Sequence, residues 1–478
     1  MLVPRPELLT VLRQFNPWWS GNAISDLPTW HRAAFREIVS WLQAPPPRAL
    51  LLSGARQIGK TTLLLQAVDQ LLQQGVPPQR ILYATFDHPF LKLAGLDELI
   101  SSWHELEPPD GETEYLLLDE IQYARDWQTW LKLQVDFQKH RRIVVTGSAT
   151  PLIEEKQESG VGRWHTVRLA TLSFFEYLQI RRLRAPDLPG IASLTRLFSW
   201  EPRDFLRYGD EAQGLIGHFH EYLIRGGFPQ PALVSSLPLA QKLLREDIVD
   251  KVLKRDMTAF FGVRRVMELE QTFLYLCLHD GGLLNMEDLS RNLAIKKSTA
   301  QSFIQLLEAS HLIHKLPPFG YGKQVLRAHW KIYLADAALR SSVLMRGKGL
   351  LENATELGAA VETAFFKHVF TRYYDQSPTF SYWRGKGDAE VDIIADSGSR
   401  LVPFEVKYRN EPVTLRDIAG LRQFCEERSI ARGYVITKHH LDFGLLPIGP
   451  DRIALKIPAP LACYWLGRSE LEPGVGEP

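Results

Sequence analysis

The sequence predicts an α/β protein of several domains, with a parallel sheet in its N-terminal part and a second sheet near its C-terminal end. Three observations predict this class. Short apolar runs that are typical of buried strands alternate with helical patterns between residues 49 and 145. The pattern G-x-x-x-x-G-K-T fills residues 54–61, between such a strand and such a helix. Alternating residues at 390–395 and 400–407 predict a hairpin.

The composition is that of a globular protein. Of 478 residues, 45% are hydrophobic and 23% are charged, and this length suggests about three domains. No apolar run approaches the ~20 residues of a membrane span, and the first residues lack the apolar core of a signal peptide, so we expect a cytoplasmic protein with no membrane partner. Cys277, Cys425 and Cys463 fit no metal or disulfide spacing. The net charge of +1 does not itself indicate nucleic acid, which would need a local basic patch.

Residues 54–61, GARQIGKT, form the strongest motif of the chain. Glycines in such a loop let backbone N–H groups converge on an anion, and the helix that follows adds positive potential. Lys60 is expected to reach the β- and γ-phosphates of a nucleotide, and the Thr61 hydroxyl to ligate Mg²⁺. An ordinary glycine turn before a helix is the alternative. The residues expected to bind nucleotide here are Gly54, Ala55, Arg56, Gln57, Ile58, Gly59, Lys60, Thr61 and Thr62.

A second apolar run, residues 115–118, ends in Asp119 and Glu120. The carboxyl end of a buried parallel strand is where α/β proteins place their chemistry. Asp119 is expected to hold Mg²⁺, and Glu120 to polarise the attacking water as a general base. The pair follows the loop by ~60 residues, which leaves room for about two βα units. A third run from residue 141 leads to Thr146 and Ser148, either of which is expected near the γ-phosphate or the water.

Three further segments follow these motifs in order: Gly162 with Arg163, the run LSFFEY at 172–177, and RGGFP at 225–229. Together the set resembles the prokaryotic AAA+ ATPase family that carries a C-terminal restriction-endonuclease-like domain of unassigned function. The resemblance covers nearly the whole chain. It implies a P-loop AAA+ core, ATP and Mg²⁺ as cofactors, and self-association into a ring such as a hexamer. It also implies that Arg163 reaches the γ-phosphate of a neighbouring subunit, although a solvated surface arginine is the alternative.

The family resemblance and the local patterns predict five segments. They are an N-terminal helical segment (1–47), the P-loop AAA+ core (48–180), a helical lid (181–270), a winged helix-turn-helix (271–345) and a restriction-endonuclease-like domain (346–470).

Two features belong to the boundary of core and lid. Ser173 and Glu176 have the spacing of a helix capping box. Arg225 is expected to sense the nucleotide from the lid, or else to form a structural ion pair.

Residues 296–308 predict a recognition helix, with Phe303, Leu306 and Leu307 on its apolar face. A two-stranded wing is expected between residues 315 and 333. A protein–protein module is the alternative use of this domain. The residues expected to contact DNA are Lys296, Lys297, Ser298 and Gln301 near the helix start, and Lys323 at the tip of the wing.

The C-terminal hairpin carries Asp392 on one strand and Glu405-x-Lys407 on the next, which resembles the PD-(D/E)XK nuclease fold. Residues i and i+2 of a strand share a face, so Glu405 and Lys407 point the same way. Asp392 and Glu405 are expected to chelate Mg²⁺, Glu362 to support the metal from a helix, and Lys407 to activate water or stabilise the phosphorane. A charged hairpin on a solvated sheet, or a domain that no longer cuts, is the alternative.

The function expected from these residues is ATP hydrolysis that acts on duplex or branched DNA by translocation or remodelling. Two alternatives remain open: an ATP-gated, Mg²⁺-dependent DNA nuclease, and a regulatory ATPase switch that binds protein partners. Stimulation of hydrolysis by DNA separates the first function from the switch. Cutting that is lost in Glu405→Ala identifies the nuclease.

Overall fold

The structure, a computed structural model, describes residues 4–44, 46, 48–107, 112–148, 162–258, 263–320, 329–374, 378–387 and 389–472. It divides into two compact units, residues 1–169 and 170–478. Lys323, predicted at the tip of the wing, lies outside the described residues. Within the described ranges, every helix is too short or too polar to cross a bilayer.

The first unit is built on a five-stranded sheet of order β2-β3-β4-β1-β5, in which all neighbours run parallel. Its strands are β1 (Ala49–Ser53), β2 (Ile81–Thr85), β3 (Glu114–Asp119), β4 (Arg141–Gly147) and β5 (Trp164–Arg168). Every residue of β1 is buried, which explains the uninterrupted apolar run of its sequence. Because the strands are parallel, β1, β3 and β4 bring their carboxyl ends to one edge of the sheet.

Helices cover this sheet and fill the connections between its strands. They are α1 (Arg5–Phe15), α2 (Ala34–Gln43), α3 (Lys60–Gln73), α4 (Pro89–Ala94), α5 (Leu96–Leu106) and α6 (Trp127–Phe137), with short 3₁₀ helices at Pro17–Ser20, Pro78–Arg80 and Ile121–Tyr123. Helix α3 begins at Lys60, directly after the glycine loop. The predicted order of strand, glycine loop and helix is therefore confirmed.

The second unit combines helices with two sheets. Its helices are α7 (Phe174–Ile180), α8 (Pro202–Arg225), α9 (Pro229–Leu233), α10 (Leu237–Leu243), α11 (Val266–Leu278), α12 (Met286–Asn292), α13 (Lys297–Ala309), α14 (Ala337–Val343), α15 (Ala354–Tyr373), α16 (Ala419–Glu427) and α17 (Ala459–Leu471). Leu244–Asp250 and Val252–Asp256 are π-helical, and Leu194–Ser199, Gly347–Leu351 and His440–Asp442 are 3₁₀ helices.

The smaller sheet of this unit has three antiparallel strands in the order β6-β8-β7, with β6 (Leu283–Leu284), β7 (Ile313–Leu316) and β8 (Trp330–Leu334). Strand β6 lies between α11 and α12 in the sequence, and β7 and β8 follow α13.

The larger sheet has six strands in the order β13-β14-β12-β11-β10-β9. They are β9 (Thr379–Arg384), β10 (Glu390–Asp396), β11 (Leu401–Lys407), β12 (Arg432–Thr437), β13 (Gly444–Gly449) and β14 (Arg452–Pro458). Strand β12 runs parallel to both β11 and β14, while the pairs at either margin are antiparallel. The predicted hairpin of β10 and β11 is confirmed, with Ile393 opposite Phe404.

Helix α7, at the start of the second unit, is held by helices from the far end of the chain. The predicted capping box is confirmed: Ser173 Oγ accepts from the Glu176 N–H at 3.2 Å, and the Glu176 carboxylate accepts from the Ser173 N–H at 2.8 Å. The ring of Phe175 meets that of Tyr464 on α17 edge-on, with centroids 5.1 Å apart. A Cβ at Gly467 of α17 would stand 2.5 Å from Ser173 Oγ, so only glycine allows this approach.

Helix α15 holds the same segment by hydrogen bonds. The N–H of Phe174 donates to His368 Nε2 at 2.8 Å, and the buried ammonium of Lys367 donates to the carbonyl of Leu172 at 2.6 Å. These contacts place α7 in the second compact unit. The five-segment division itself stays a prediction.

Candidate functional site

Close backbone packing shapes the loop between β1 and α3. A Cβ at Gly54 would stand 2.3 Å from the carbonyl oxygen of Leu169, and Gly59 has a φ of +94°, so both positions require glycine. Lys60 is 3% exposed, and its ammonium donates to the carbonyls of Gly54 at 2.9 Å and Ala55 at 2.8 Å. The Lys60 cation is thus enclosed by the backbone of the loop at the N-terminal end of α3, where the helix dipole favours an anion.

The Asp119 carboxylate accepts hydrogen bonds from hydroxyl groups on three elements, α3, β2 and β4. Thr61 Oγ1 donates to Asp119 Oδ2 at 2.6 Å, Tyr83 OH donates to the same oxygen at 3.2 Å, and the Thr146 hydroxyl donates to Oδ1. Burial, and then the neighbouring Glu120, raise the pKa of this carboxyl. A carboxylate beside a threonine hydroxyl is a donor set that suits Mg²⁺, and a bound cation would favour the ionised form.

Glu120 follows β3 in a left-handed backbone conformation, with φ at +51°. Its N–H donates to Thr146 Oγ1 at 3.0 Å, and its side chain accepts hydrogen bonds from Gln122 and, at 3.4 Å, from Ser148 Oγ. Lys60 Nζ lies 3.8 Å from Glu120 Oε1. Burial alone would raise the pKa of Glu120, but Lys60 and the Gln122 hydrogen bond hold it below its ordinary value. The carboxylate is therefore ionised at neutral pH, as a general base must be.

Two residues of this site, Tyr83 and Gln122, were not singled out in the sequence, although a glutamine two residues beyond an acid pair is a usable signal. Thr146, one of the two residues expected near the γ-phosphate or the water, is fully buried. Its hydroxyl donates to the Asp119 carboxylate and accepts from the Glu120 N–H, and these are the contacts of a positioning residue. Ser148 bonds to Glu120 and to Gln122.

The two predicted nucleotide-contacting arginines lie in different units. Arg163 directly precedes β5 in the first unit, with about a third of its side chain exposed and its Nε 3.5 Å from Asp136 Oδ1. Arg225 ends α8 in the second unit and is 3% exposed. Its guanidinium lies 2.9 Å from the Glu221 carboxylate and donates to the carbonyl of Val234 at 2.5 Å. These contacts are those of the structural ion pair, and a role toward nucleotide stays a prediction for both arginines.

Four of the five predicted DNA-contacting residues are exposed near the N-terminal end of α13 in the second unit. Helix α13 buries Ala300, Phe303, Ile304 and Leu307. The residues that it exposes near its N-terminal end are Lys296, Lys297, Ser298 and Gln301. Lys297 Nζ lies 3.3 Å from the Glu287 carboxylate, so one of the two lysines is partly balanced by an acid.

The residues of the predicted C-terminal metal site do meet, but around a lysine. Glu405 Oε1 lies 2.5 Å from Lys407 Nζ. The ammonium of Lys331, from β8, lies 2.7 Å from Asp392 Oδ1 and 2.7 Å from Glu362 Oε1. Lys331 was not singled out from the sequence, although a lone lysine inside the apolar strand 330–334 is unusual.

A search of the described residues finds no group of three or more His, Cys, Asp or Glu side chains arranged to hold a metal ion. The second Mg²⁺ site, predicted from Glu362, Asp392 and Glu405 with Lys407, therefore stays a prediction.

Comparison with known families assigns a domain that takes in most of the first unit and continues into helix α7. Residues 46–178 match the family of the AAA domain. The match and the strand order agree on a P-loop AAA domain in this part of the chain. Residues 216–349 and 357–457 match two domains of unknown function, DUF8612 and DUF4143.

Similar proteins occur in bacteria and archaea. An uncharacterized protein of Haemophilus influenzae is 28% identical over 371 residues, which cover 75% of this chain and 82% of that protein. Uncharacterized protein Rv2008c of Mycobacterium tuberculosis is 26% identical over 386 residues, covering 77% and 72%. Uncharacterized protein MJ1637 of Methanocaldococcus jannaschii is 24% identical over 380 residues, covering 77% of each.

Two solved structures are distantly similar. AMPPCP-bound DnaA from Aquifex aeolicus is 14% identical, with 59% of this chain and 93% of that chain covered and a TM-score of 0.26. Cdc6p from Pyrobaculum aerophilum is 14% identical, with 69% and 97% covered and a TM-score of 0.27. Scores this low support no inference about function.

Proposed function

We propose that this protein is an ATPase that uses the hydrolysis of Mg²⁺-bound ATP to act on DNA. The observation that carries the proposal is the convergence of Lys60, Thr61, Asp119 and Glu120 at one edge of the parallel sheet. The match of residues 46–178 to the AAA domain supports it independently.

Each residue of the site has a role in hydrolysis. Bound ATP would supply the phosphoanhydride bond that is hydrolysed, and Mg²⁺ would supply positive charge that offsets the negative charge of the phosphate oxygens. Thr61 and Asp119 would hold the metal, and Lys60 would neutralise the β- and γ-phosphates. Glu120 would accept the proton of the attacking water, because its depressed pKa keeps it ionised.

Thr146 and Gln122 act through the two acids. Thr146 donates to the Asp119 carboxylate and accepts from the backbone N–H of Glu120, so one buried hydroxyl ties the Asp119 side chain to the main chain at Glu120. Gln122 donates to Glu120 and to Ser148. This support keeps the base in one orientation, which lowers the reorganisation needed during the reaction.

Arg163 is proposed to complete the site of a neighbouring subunit in a ring. Its guanidinium is partly exposed, and its ion pair with Asp136 is 3.5 Å long and weak by the standards of surface pairs.

The DNA contact is proposed at the N-terminal end of α13. The order α11, β6, α12, α13, β7 and β8, with an antiparallel sheet, is the order of elements in a winged helix. Lys296, Lys297, Ser298 and Gln301 are exposed there, and their side chains suit phosphate oxygens and base edges.

The proposal is tested by the steady-state ATPase rate with Mg²⁺, measured without DNA and with duplex DNA, single strands and a four-way junction. We expect hydrolysis that Lys60→Ala abolishes and that one DNA form stimulates. A rate that is indifferent to every DNA form would retain the ATPase and reject the DNA function in favour of the switch that binds proteins.

A further inference from the structure

Lys331 is the centre of a carboxylate cluster at one end of the six-stranded sheet. Its ammonium lies 2.7 Å from Asp392 Oδ1, 2.7 Å from Glu362 Oε1 and 3.2 Å from Glu390 Oε1. The side chain is 3% exposed. A cation with three carboxylate ligands and almost no contact with water is held by the protein as a metal ion would be.

The carboxylate oxygens of Asp392 and Glu390 are already in use. Asp392 Oδ1 accepts from Lys331, and Asp392 Oδ2 accepts from the N–H of Val406 at 2.8 Å. Glu390 is bonded to Lys331 through Oε1 and to Arg384 through Oε2, the latter at 2.9 Å.

Glu362 and Glu405 complete the cluster. Tyr333 OH donates to Glu362 Oε1 at 2.6 Å, which is the oxygen that Lys331 also contacts. Glu405 lies against Lys407 through Oε1, while its Oε2 is buried and has no hydrogen-bond partner among the described residues. One buried oxygen without a donor does not by itself form a metal site.

A path leads from solvent to the cluster. Lys331, Glu362, Asp392 and Glu405 line an open cavity of about 710 Å³. Basic side chains also line it, among them Lys386 and Arg416. A small ion could therefore reach the carboxylates if Lys331 did not occupy the space between them.

We propose that Lys331 is the resident cation of this cluster, and that Glu362 and Asp392 form a divalent-cation site only when Lys331 is withdrawn. Mg²⁺ requires oxygen ligands at about 2.0–2.1 Å in near-octahedral geometry. An ammonium that is 2.7 Å from the same two oxygens fills that position, so the two cations compete. With Lys331 in place, the domain holds no metal and does not cleave DNA. This inference is independent of the proposed ATPase.

The test is Mn²⁺ binding by isothermal calorimetry, together with thermal unfolding, on the full chain. Every variant compared carries Asp119→Asn, so that the metal site predicted at the P-loop does not contribute to the measured Mn²⁺ binding. Against that background we compare Lys331, Lys331→Met and Lys331→Arg. Lys331→Met should gain one Mn²⁺ site, and Mn²⁺ at 100-fold above Kd should raise its melting temperature by about 5 °C. Lys331→Arg keeps the cation and should bind none.

Asp392→Asn supplies the control. Added to Lys331→Met, it should remove the gained site. Added to the chain that retains Lys331, Asp392→Asn should leave the Mn²⁺ titration unchanged. This comparison tests the proposal even if the Lys331→Met protein does not fold. A Mn²⁺ site that Asp392→Asn abolishes while Lys331 is present would overturn the proposal. So would a folded Lys331→Met protein that binds no Mn²⁺.

Discussion

The hydroxyl of Thr61 donates a 2.6 Å hydrogen bond to Asp119 Oδ2 across 58 positions of the sequence. This bond joins the first turn of α3 to the end of β3. The two oxygen ligands predicted for the nucleotide-associated metal are therefore adjacent within one compact unit. Four predictions follow from this site and from the second unit.

Lys60→Ala should lower the ATPase rate by at least about 10²–10³-fold, because Lys60 supplies the positive charge inside the loop. The fold should survive, since the change removes two hydrogen bonds that contribute about 1 kcal/mol each. Phosphate release and circular dichroism measure the two effects. Lys139→Ala, an exposed lysine of the same unit, is the control. Retained turnover in folded Lys60→Ala would reject the ATPase site.

Arg163→Ala should reduce hydrolysis on the order of 10³-fold with little change in ATP affinity, because the arginine is proposed to serve the neighbouring subunit. Mixing it with Lys60→Ala should restore up to about a quarter of the wild-type rate, since random rings contain interfaces with both residues intact. Asp136→Ala removes the ion pair but not the arginine and should stay active. Failure of the two inactive variants to complement would place Arg163 outside the site.

Lys296→Glu with Lys297→Glu should weaken DNA binding and flatten its dependence on salt, because each lost phosphate contact removes about one unit of the slope of log Kobs against log salt. Fluorescence anisotropy over a salt series measures this slope. Lys242→Glu with Lys254→Glu changes the net charge equally at exposed positions outside α13. DNA binding by this control variant should keep a steeper dependence on salt than binding by the first double variant. Equal slopes in the two double variants would locate the DNA surface elsewhere.

Asp280 makes the second unit less stable as pH rises. Burial raises the pKa of this carboxyl to about 6, even though its Oδ1 accepts from the Leu334 N–H and from Thr363 Oγ1, each at 2.9 Å. The folded chain thus keeps a proton that the unfolded chain releases near 3.8. The contribution of this proton to the free energy of unfolding is fully present below pH 3.8 and is lost by about pH 6, a change of roughly 3 kcal/mol.

Asp280→Asn should abolish that decline, because the amide oxygen can still accept both hydrogen bonds and carries no charge. Urea unfolding on either side of this pH window measures the difference. Asp210→Asn, at a carboxylate that is 72% exposed, is the control and should follow the wild type. A decline of the same size in Asp280→Asn would assign it to other groups.

Local pattern sufficed for the parts of the fold that depend on near neighbours. The apolar runs of β1 and β3, the loop before α3 and the hairpin of β10 and β11 were all predictable, because each is encoded in fewer than about twenty consecutive residues. The Ser173 capping box was predictable for the same reason.

Contacts between distant segments were not predictable. Lys331 and Asp392 are 61 positions apart and lie on strands of different sheets, so no periodicity connects them. The hydroxyls of Tyr83 and Thr146 reach Asp119 from neighbouring strands in the same way. The placement of α7 depends on Tyr464 and Gly467, nearly 300 residues later in the chain, which a local pattern cannot detect.

That last contact affects the order of events during protein synthesis. The first unit can fold as soon as residue 169 has left the ribosome, since its sheet needs nothing beyond β5. Helix α7 packs against α8 through Phe174 and Phe219, but its contact with α17 is completed only after almost three hundred further residues have been translated. The nascent second unit therefore exposes the side of α7 that faces α17 for much of translation, and it should depend on chaperones more than the first.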